Sequence, residues 1–279
     1  VAAIGLIWFV NIPGMRVASK LITAVSPSPN LSVNMAAFEE LVAEPAFASQ
    51  EIREQLVSLA GMVAQSSLPN EQKMQVSSLA ITEMRKQVDA YPLDARARLQ
   101  LSYAYRSAGD HESAIAEARR ALELSPKKEQ MWIEVGSLEW DRGNALGAKK
   151  SFDAAYALGP EFKNLAAYAA VGNIAVGDYA AADAILMKAC GTTVVDNNAL
   201  AVAYYRAQNW PRLIGIWKIR AETPGSDMQS WFSLAAVYYA SGDRDGAIRT
   251  INRAVELYPE AASSAASAIK QIEAGALVQ

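Results

Sequence analysis

A glycine followed by a small polar residue returns at a nearly fixed step. Gly109-Asp110, Gly143-Asn144, Gly177-Asp178 and Gly242-Asp243 share the pattern, and Asn209-Trp210 fills the remaining place, with steps of 34, 34, 32 and 33 residues. A step of this size marks an array of supersecondary units and limits the fold before any other property is considered. An alanine lies twelve residues after each marker, at Ala121, Ala155, Ala189, Ala221 and Ala254. Five residues after it stand Ala114, Ala148, Ala182, Ile214 and Ala247, and four before it Tyr105, Glu139, Asn173, Tyr205 and Tyr238. Pro126, Pro160 and Pro259 close three units, and Pro224 closes the fourth at a shifted place.

These positions describe a helical hairpin. The glycine or asparagine tolerates the left-handed conformation that ends a first helix. Alanines let the second helix approach closely, the tyrosine fills the gap to the neighbouring unit, and the proline ends the second helix. One such pair cannot bury its own apolar face, so the units stack. Alanine dominates the second half of the chain and Val/Ile/Thr alternation is rare, which favours an all-α architecture.

Before the array, Val1–Val10 is an apolar run broken by Asn11-Ile12-Pro13-Gly14. It is shorter than the roughly 20 residues a span needs and lacks a preceding basic stretch. The expectation is a chain that begins inside a transmembrane helix, with Arg16 and Lys20 hinting at a cytoplasmic side; a short buried core helix is the alternative. Residues 1–25 are thus expected to be a membrane or membrane-proximal segment and 26–33 a linker. Residues 34–92 are a helical pre-repeat region, with helices at 35–43, 49–64 and 70–91. The array runs over 93–260 with its fourth unit degenerate. Residues 261–279 form a capping helix and tail, with Ser263, Ser264, Lys270 and Glu273 outward.

The units resemble the tetratricopeptide repeat (TPR). The two best carry Trp132, Gly136, Gly143, Ala148, Phe152, Ala155 and Pro160, and Trp231, Leu234, Ala235, Tyr238, Gly242, Ala247, Ile251, Ala254 and Pro259. The first has Leu101, Ser102, Tyr105, Ala114, Ala118, Ala121 and Pro126, but Arg98 where an aromatic residue is usual. The resemblance implies a TPR-type α-solenoid, a right-handed superhelix of stacked pairs that binds proteins or peptides. A second resemblance lies in Asn11–Arg16, Gln50–Gln55 and Asp94-Ala95-Arg96 followed by repeats. This order is similar to the C-terminal repeat tail of O-antigen ligase- or polymerase-like bacterial membrane proteins. It implies that any glycan chemistry lies in membrane helices outside this segment, since no catalytic residue of that family maps onto it.

Other functions are disfavoured. A net charge of −3 supplies no basic field for nucleic acid. Arg96, Arg98, Arg106, Arg119, Arg120, Lys127 and Lys128 are interspersed with Glu117, Glu123 and Glu129, a mixed surface. There is no GxxxxGK[ST] loop and no GxGxxG after a strand. One cysteine, Cys190, and one histidine, His111, leave little for a metal or a triad. No catalytic residue, metal or cofactor is expected, and Glu39-Glu40 reads as solvated charge.

First helices of stacked pairs line the inner face. The candidate groove is Arg96, Leu99, Tyr103 and Arg106, then Ile133, Ser137 and Trp140, then Ala167, Val171 and Ile174, then Ala203 and Arg206, then Phe232, Ala236 and Tyr239. It reads as apolar and aromatic, dotted with arginines, and suited to an extended or helical peptide. Trp140, Phe232 and Tyr239 read equally as packing between repeats. Some TPR proteins clamp a C-terminal carboxylate with Lys and Asn; Leu99, Tyr103, Ile133 and Ser137 occupy those places and argue against that ligand. The expected function is a membrane-tethered protein- or peptide-binding scaffold, with surface-glycan assembly as the setting that the second resemblance implies. The alternatives are a soluble, cytoplasmic adaptor and the non-catalytic tail of a glycosyl-transferring enzyme.

Overall fold

The structure, a computed structural model, describes residues 12–26, 28, 30–43 and 48–275. Val1–Asn11, and with them the apolar run assigned to a membrane segment, lie outside the described residues, as do Pro27, Pro29, residues 44–47 and the final four. Among the described residues there are fifteen α-helices and no strand. None of these helices is long and apolar enough to cross a membrane. The chain divides into two compact units, Val1–Arg142 and Gly143–Gln279.

The first unit holds α1 (Ile12–Val25), α2 (Leu31–Ala43), α3 (Ser49–Ala64), α4 (Asn70–Ala90), α5 (Ala95–Ser107), α6 (His111–Leu124) and α7 (Glu129–Asp141). Helix α2 begins at Leu31, inside the stretch expected to be linker. Buried Asn34 on α2 donates from Nδ2 to the Ala24 and Ser26 carbonyls at 2.8 and 2.9 Å, satisfying oxygens that the end of α1 leaves without partners. Helices α3 and α4 form a hairpin ahead of the expected array, and α5 packs on both. The core runs through all of these helices, from Phe38 and Leu56 to Leu101 and Leu138.

The turn between α5 and α6 shows why the marker recurs. The Gly109 N–H donates to Arg106 O at 3.0 Å and the Asp110 N–H to Tyr105 O at 3.0 Å, the paired bonds of a Schellman end. This geometry needs a left-handed residue, and Gly109 has φ 78°. Asp110 then accepts from the Ser113 N–H and caps the next helix. A single residue pair therefore stops one helix and starts another.

The second unit holds α8 (Ala145–Ala157), α9 (Lys163–Ala175), α10 (Tyr179–Cys190), α11 (Asn198–Arg206), α12 (Trp210–Glu222), α13 (Met228–Ala240), α14 (Arg244–Leu257) and α15 (Ala262–Glu273). Helix α9 packs on α8, α10 and α11, and α13 on α12 and α14. Ala265 and Ile272 of α15 lie against Ala247 and Ile251, while Ser263, Ser264, Lys270 and Glu273 face solvent.

The fourth marker is displaced by one residue from its sequence assignment. The left-handed place belongs to Gln208, at φ 52°, and Asn209 is the cap, accepting from the Arg212 N–H. At the five marker turns the left-handed residues are Gly109, Gly143, Gly177, Gln208 and Gly242, so the irregular step is the 31 residues from 177 to 208. Tyr204, not Tyr205, is the buried tyrosine, and its carbonyl accepts from the Asn209 N–H at 2.9 Å. A side chain at a left-handed position costs roughly 1 kcal/mol. Gln208→Gly is therefore expected to raise stability by about 0.5–1 kcal/mol in urea titration. An unchanged or lowered midpoint would mean that the Gln208 side chain compensates for its backbone.

Candidate functional site

In the first unit the first helices α3, α5 and α7 are bridged by charge. Arg96 of α5 pairs with Glu54 of α3. Arg106, near the end of α5, lies 2.6 Å from Asp141 and 3.4 Å from Glu134, both on α7. Gln130 donates to the Tyr103 hydroxyl at 3.3 Å. The groove arginines of this unit, Arg96 and Arg106, thus already hold neighbouring carboxylates. Leu99 is a correction to the candidate groove: it is 3% exposed and packs with Ala121 and Met131. Tyr103, Ile133, Ser137 and Trp140 are half-buried.

The same unit explains Arg98. Trp132 donates from Nε1 to Pro126 O at 2.9 Å, and Arg98 donates from Nε to Pro92 O at 3.1 Å, each six residues back. Arg98 also reaches Glu117 of α6 at 2.8 Å. The guanidinium repeats the indole's bond and adds an ion pair, so it serves in the aromatic place.

Glu134 is the most perturbed acid. It is 4% exposed, Oε1 has no hydrogen-bond partner, and Oε2 sees only Arg106, which lies closer to Asp141. Burial pushes its carboxyl up to about 7, outweighing the attraction of Arg106.

In the second unit the face is different. The first helices α9, α11 and α13 carry no acidic residue, and their only charges are Lys163 and Arg206. Ala167, Val171 and Ile174 are 1%, 1% and 2% exposed; α9 is apolar around its circumference and these residues are core, not groove. The displaced marker moves the α11 positions by one. Ala203, expected in the groove, is buried at 1%, whereas Val202 is 47% and Tyr205 60% exposed. Tyr205 packs edge-on to Trp210, centroids 6.0 Å apart. On α13, Ala236 is exposed, while Phe232 and Tyr239 are half-buried against the Ala235–Ile251 cluster. Arg206 is exposed and has an interaction partner. Val202 and Tyr205 were missed because glycine or asparagine served as the marker. Aligning on the capping residue, always Asp or Asn, would have found them.

Among the described residues no group of three or more His, Cys, Asp or Glu side chains is placed to hold a metal ion. Cys190 is a half-buried free thiol.

Comparison with known proteins agrees with this architecture. A family model described as tetratricopeptide repeat matches residues 77–129, and another with the same description matches 229–261. One match lies in each unit, and the first begins in α4, ahead of the array read from the sequence. A TPR protein from Parabacteroides merdae ATCC 43184 is similar in structure at 12% identity and TM-score 0.53, over 87% of this chain and 92% of its own. That likeness shows a TPR-type α-solenoid fold. The Cut9–Hcn1 hetero-tetramer of APC/C gives 15% identity and TM-score 0.49, over 96% of this chain and 56% of the other. YrrB, a TPR protein described as having an unusual peptide-binding site, gives 17% identity and TM-score 0.39, over 67% of this chain and 97% of its own. No curated protein matches the sequence. Nothing among these comparisons supports the resemblance to an O-antigen ligase or polymerase.

Proposed function

We propose that this chain is a non-catalytic scaffold that binds a protein or peptide through the first-helix face of its second unit. The observation that carries this reading is the pair Val202 and Tyr205, 47% and 60% exposed on α11, which like α9 and α13 carries no acidic residue. An exposed valine and tyrosine one turn apart offer apolar area and a hydroxyl to an incoming chain. Arg96 and Arg106, the groove arginines of the first unit, are committed to Glu54, Glu134 and Asp141 and are better read as braces between helices than as ligand clamps.

A phage-displayed library of twelve-residue peptides panned against the whole chain tests the reading. Enriched peptides should lose at least about tenfold in affinity on Tyr205→Ala, an exposed anchor position, while the melting temperature stays within a degree or two. Failure to enrich any sequence, or equal binding by the variant, would remove this face as the site. The membrane-tethered version rests on Val1–Val10, outside the described residues, and the glycan-assembly version on resemblance alone. The plain scaffold is the reading we retain.

A further inference from the structure

Helix α1 has two apolar stripes, and the unit's core uses only one. Val17, Leu21 and Ala24 turn inward against the core shared with α2 and α3. One residue further round, Met15, Ala18, Ile22 and Val25 repeat the same spacing on the outside. Met15 is 69% exposed, Ile22 65% and Val25 42%.

We propose that this outer stripe seats on a lipid surface, with α1 lying in the membrane interface rather than crossing it. Three observations favour lipid over a protein partner. In sequence, α1 directly follows the apolar run Val1–Val10 and Asn11, a run that includes Trp8 and Phe9. No acidic residue occurs before Glu39, so nothing on this segment repels headgroup phosphate, and Arg16, Ser19, Lys20 and Thr23 make up the polar flank. An apolar stripe with a basic and hydroxyl flank is the composition of an interfacial helix. Met15, Ala18, Ile22 and Val25 alone expose on the order of a few hundred Å², below the roughly 800 Å² per partner of a stable protein interface, so this stripe by itself would not hold a second copy.

The attraction is apolar rather than electrostatic. Lys20 is held by Glu40 of α2 at 2.6 Å, which leaves little net charge beside the stripe. Binding should therefore depend weakly on lipid charge and on salt. It is also independent of peptide binding at the second unit, so either property can be lost without the other.

The test uses the 279-residue chain and vesicles of phosphatidylcholine, with and without phosphatidylglycerol. Flotation should carry the protein with both vesicle types, and Met15→Gln with Ile22→Gln should cut the floated fraction at least about fivefold with unchanged circular dichroism. A nitroxide on Ile22→Cys, in a Cys190→Ser background, should gain accessibility to dissolved oxygen and lose it to an aqueous nickel chelate. A nitroxide on Lys270→Cys of α15 should stay aqueous. Protein that remains unbound overturns the proposal. So does flotation with the label at residue 22 still aqueous, which would assign binding to Val1–Val10 alone. A label already shielded without vesicles overturns it in favour of a second copy.

Discussion

Gly172→Val should lower the stability of the second unit by about 3 kcal/mol or more, the upper end of overpacking penalties. Gly172 lies on α9 where that helix crosses α8. A Cβ there would come within 2.8 Å of the Lys149 Cα and 3.3 Å of the Phe152 ring. The nearer obstacle is backbone, which cannot swing away as a side-chain tip can, so the two helices must separate. Separation would loosen Phe152, 1% exposed and tilted against Tyr168 with centroids 5.5 Å apart. Gly172→Ala should cost about 1–3 kcal/mol by the same mechanism, and valine more. Urea unfolding should show the midpoint falling in the order glycine, alanine, valine with little change of slope. If alanine is tolerated without loss, the helices are not held as closely as their geometry indicates. The helical preference of alanine would then decide the sign, since glycine is the poorer helix former by about 1 kcal/mol.

The second large effect is a dependence on pH centred on Glu134. Its folded-state pKa is raised to about 7 from an ordinary 4.5. A raised acid keeps its proton more tightly folded than unfolded, so its stabilising contribution is complete below pH 4.5 and is lost as pH climbs through 7. The full difference is worth roughly 3 kcal/mol. The wild type should accordingly be less stable at pH 8 than at pH 5. Glu134→Gln should flatten that part of the profile, being more stable than wild type by about 3 kcal/mol at pH 8 and by only about 1 kcal/mol at pH 5. The amide can still accept from Arg106, while Asp141 keeps the shorter contact with that guanidinium. Parallel melting profiles across pH 5–8 would show that Arg106 neutralises Glu134 more fully than the 3.4 Å contact suggests.

Much of this architecture was legible because it is local. The residues that stop one helix and start the next are adjacent in sequence, as at Gly109 and Asp110. The sequence misleads where a local rule is met by an unusual residue. Gln208 takes a left-handed conformation that glycine adopts in the other four marker turns, so a glycine-or-asparagine marker falls one place late. That slip replaced Val202 and Tyr205 with Ala203 and Arg206 in the candidate groove. A second error came from treating every first helix alike, because the register of Val171 and Ile174 says which side of α9 they occupy but not whether other atoms cover it.

The sequence by itself determined the helical hairpins, their approximate period and their capping turns, since these depend on backbone conformation and on residues a few positions apart. Only the tertiary structure decided which first-helix side chains stay open, which arginines hold buried glutamates and where α9 and α8 touch backbone to backbone. Exposure and ion pairing depend on atoms brought together from distant segments, such as Arg53 with Glu83 across α3 and α4, 3.4 Å apart, and no spacing along the chain encodes that distance.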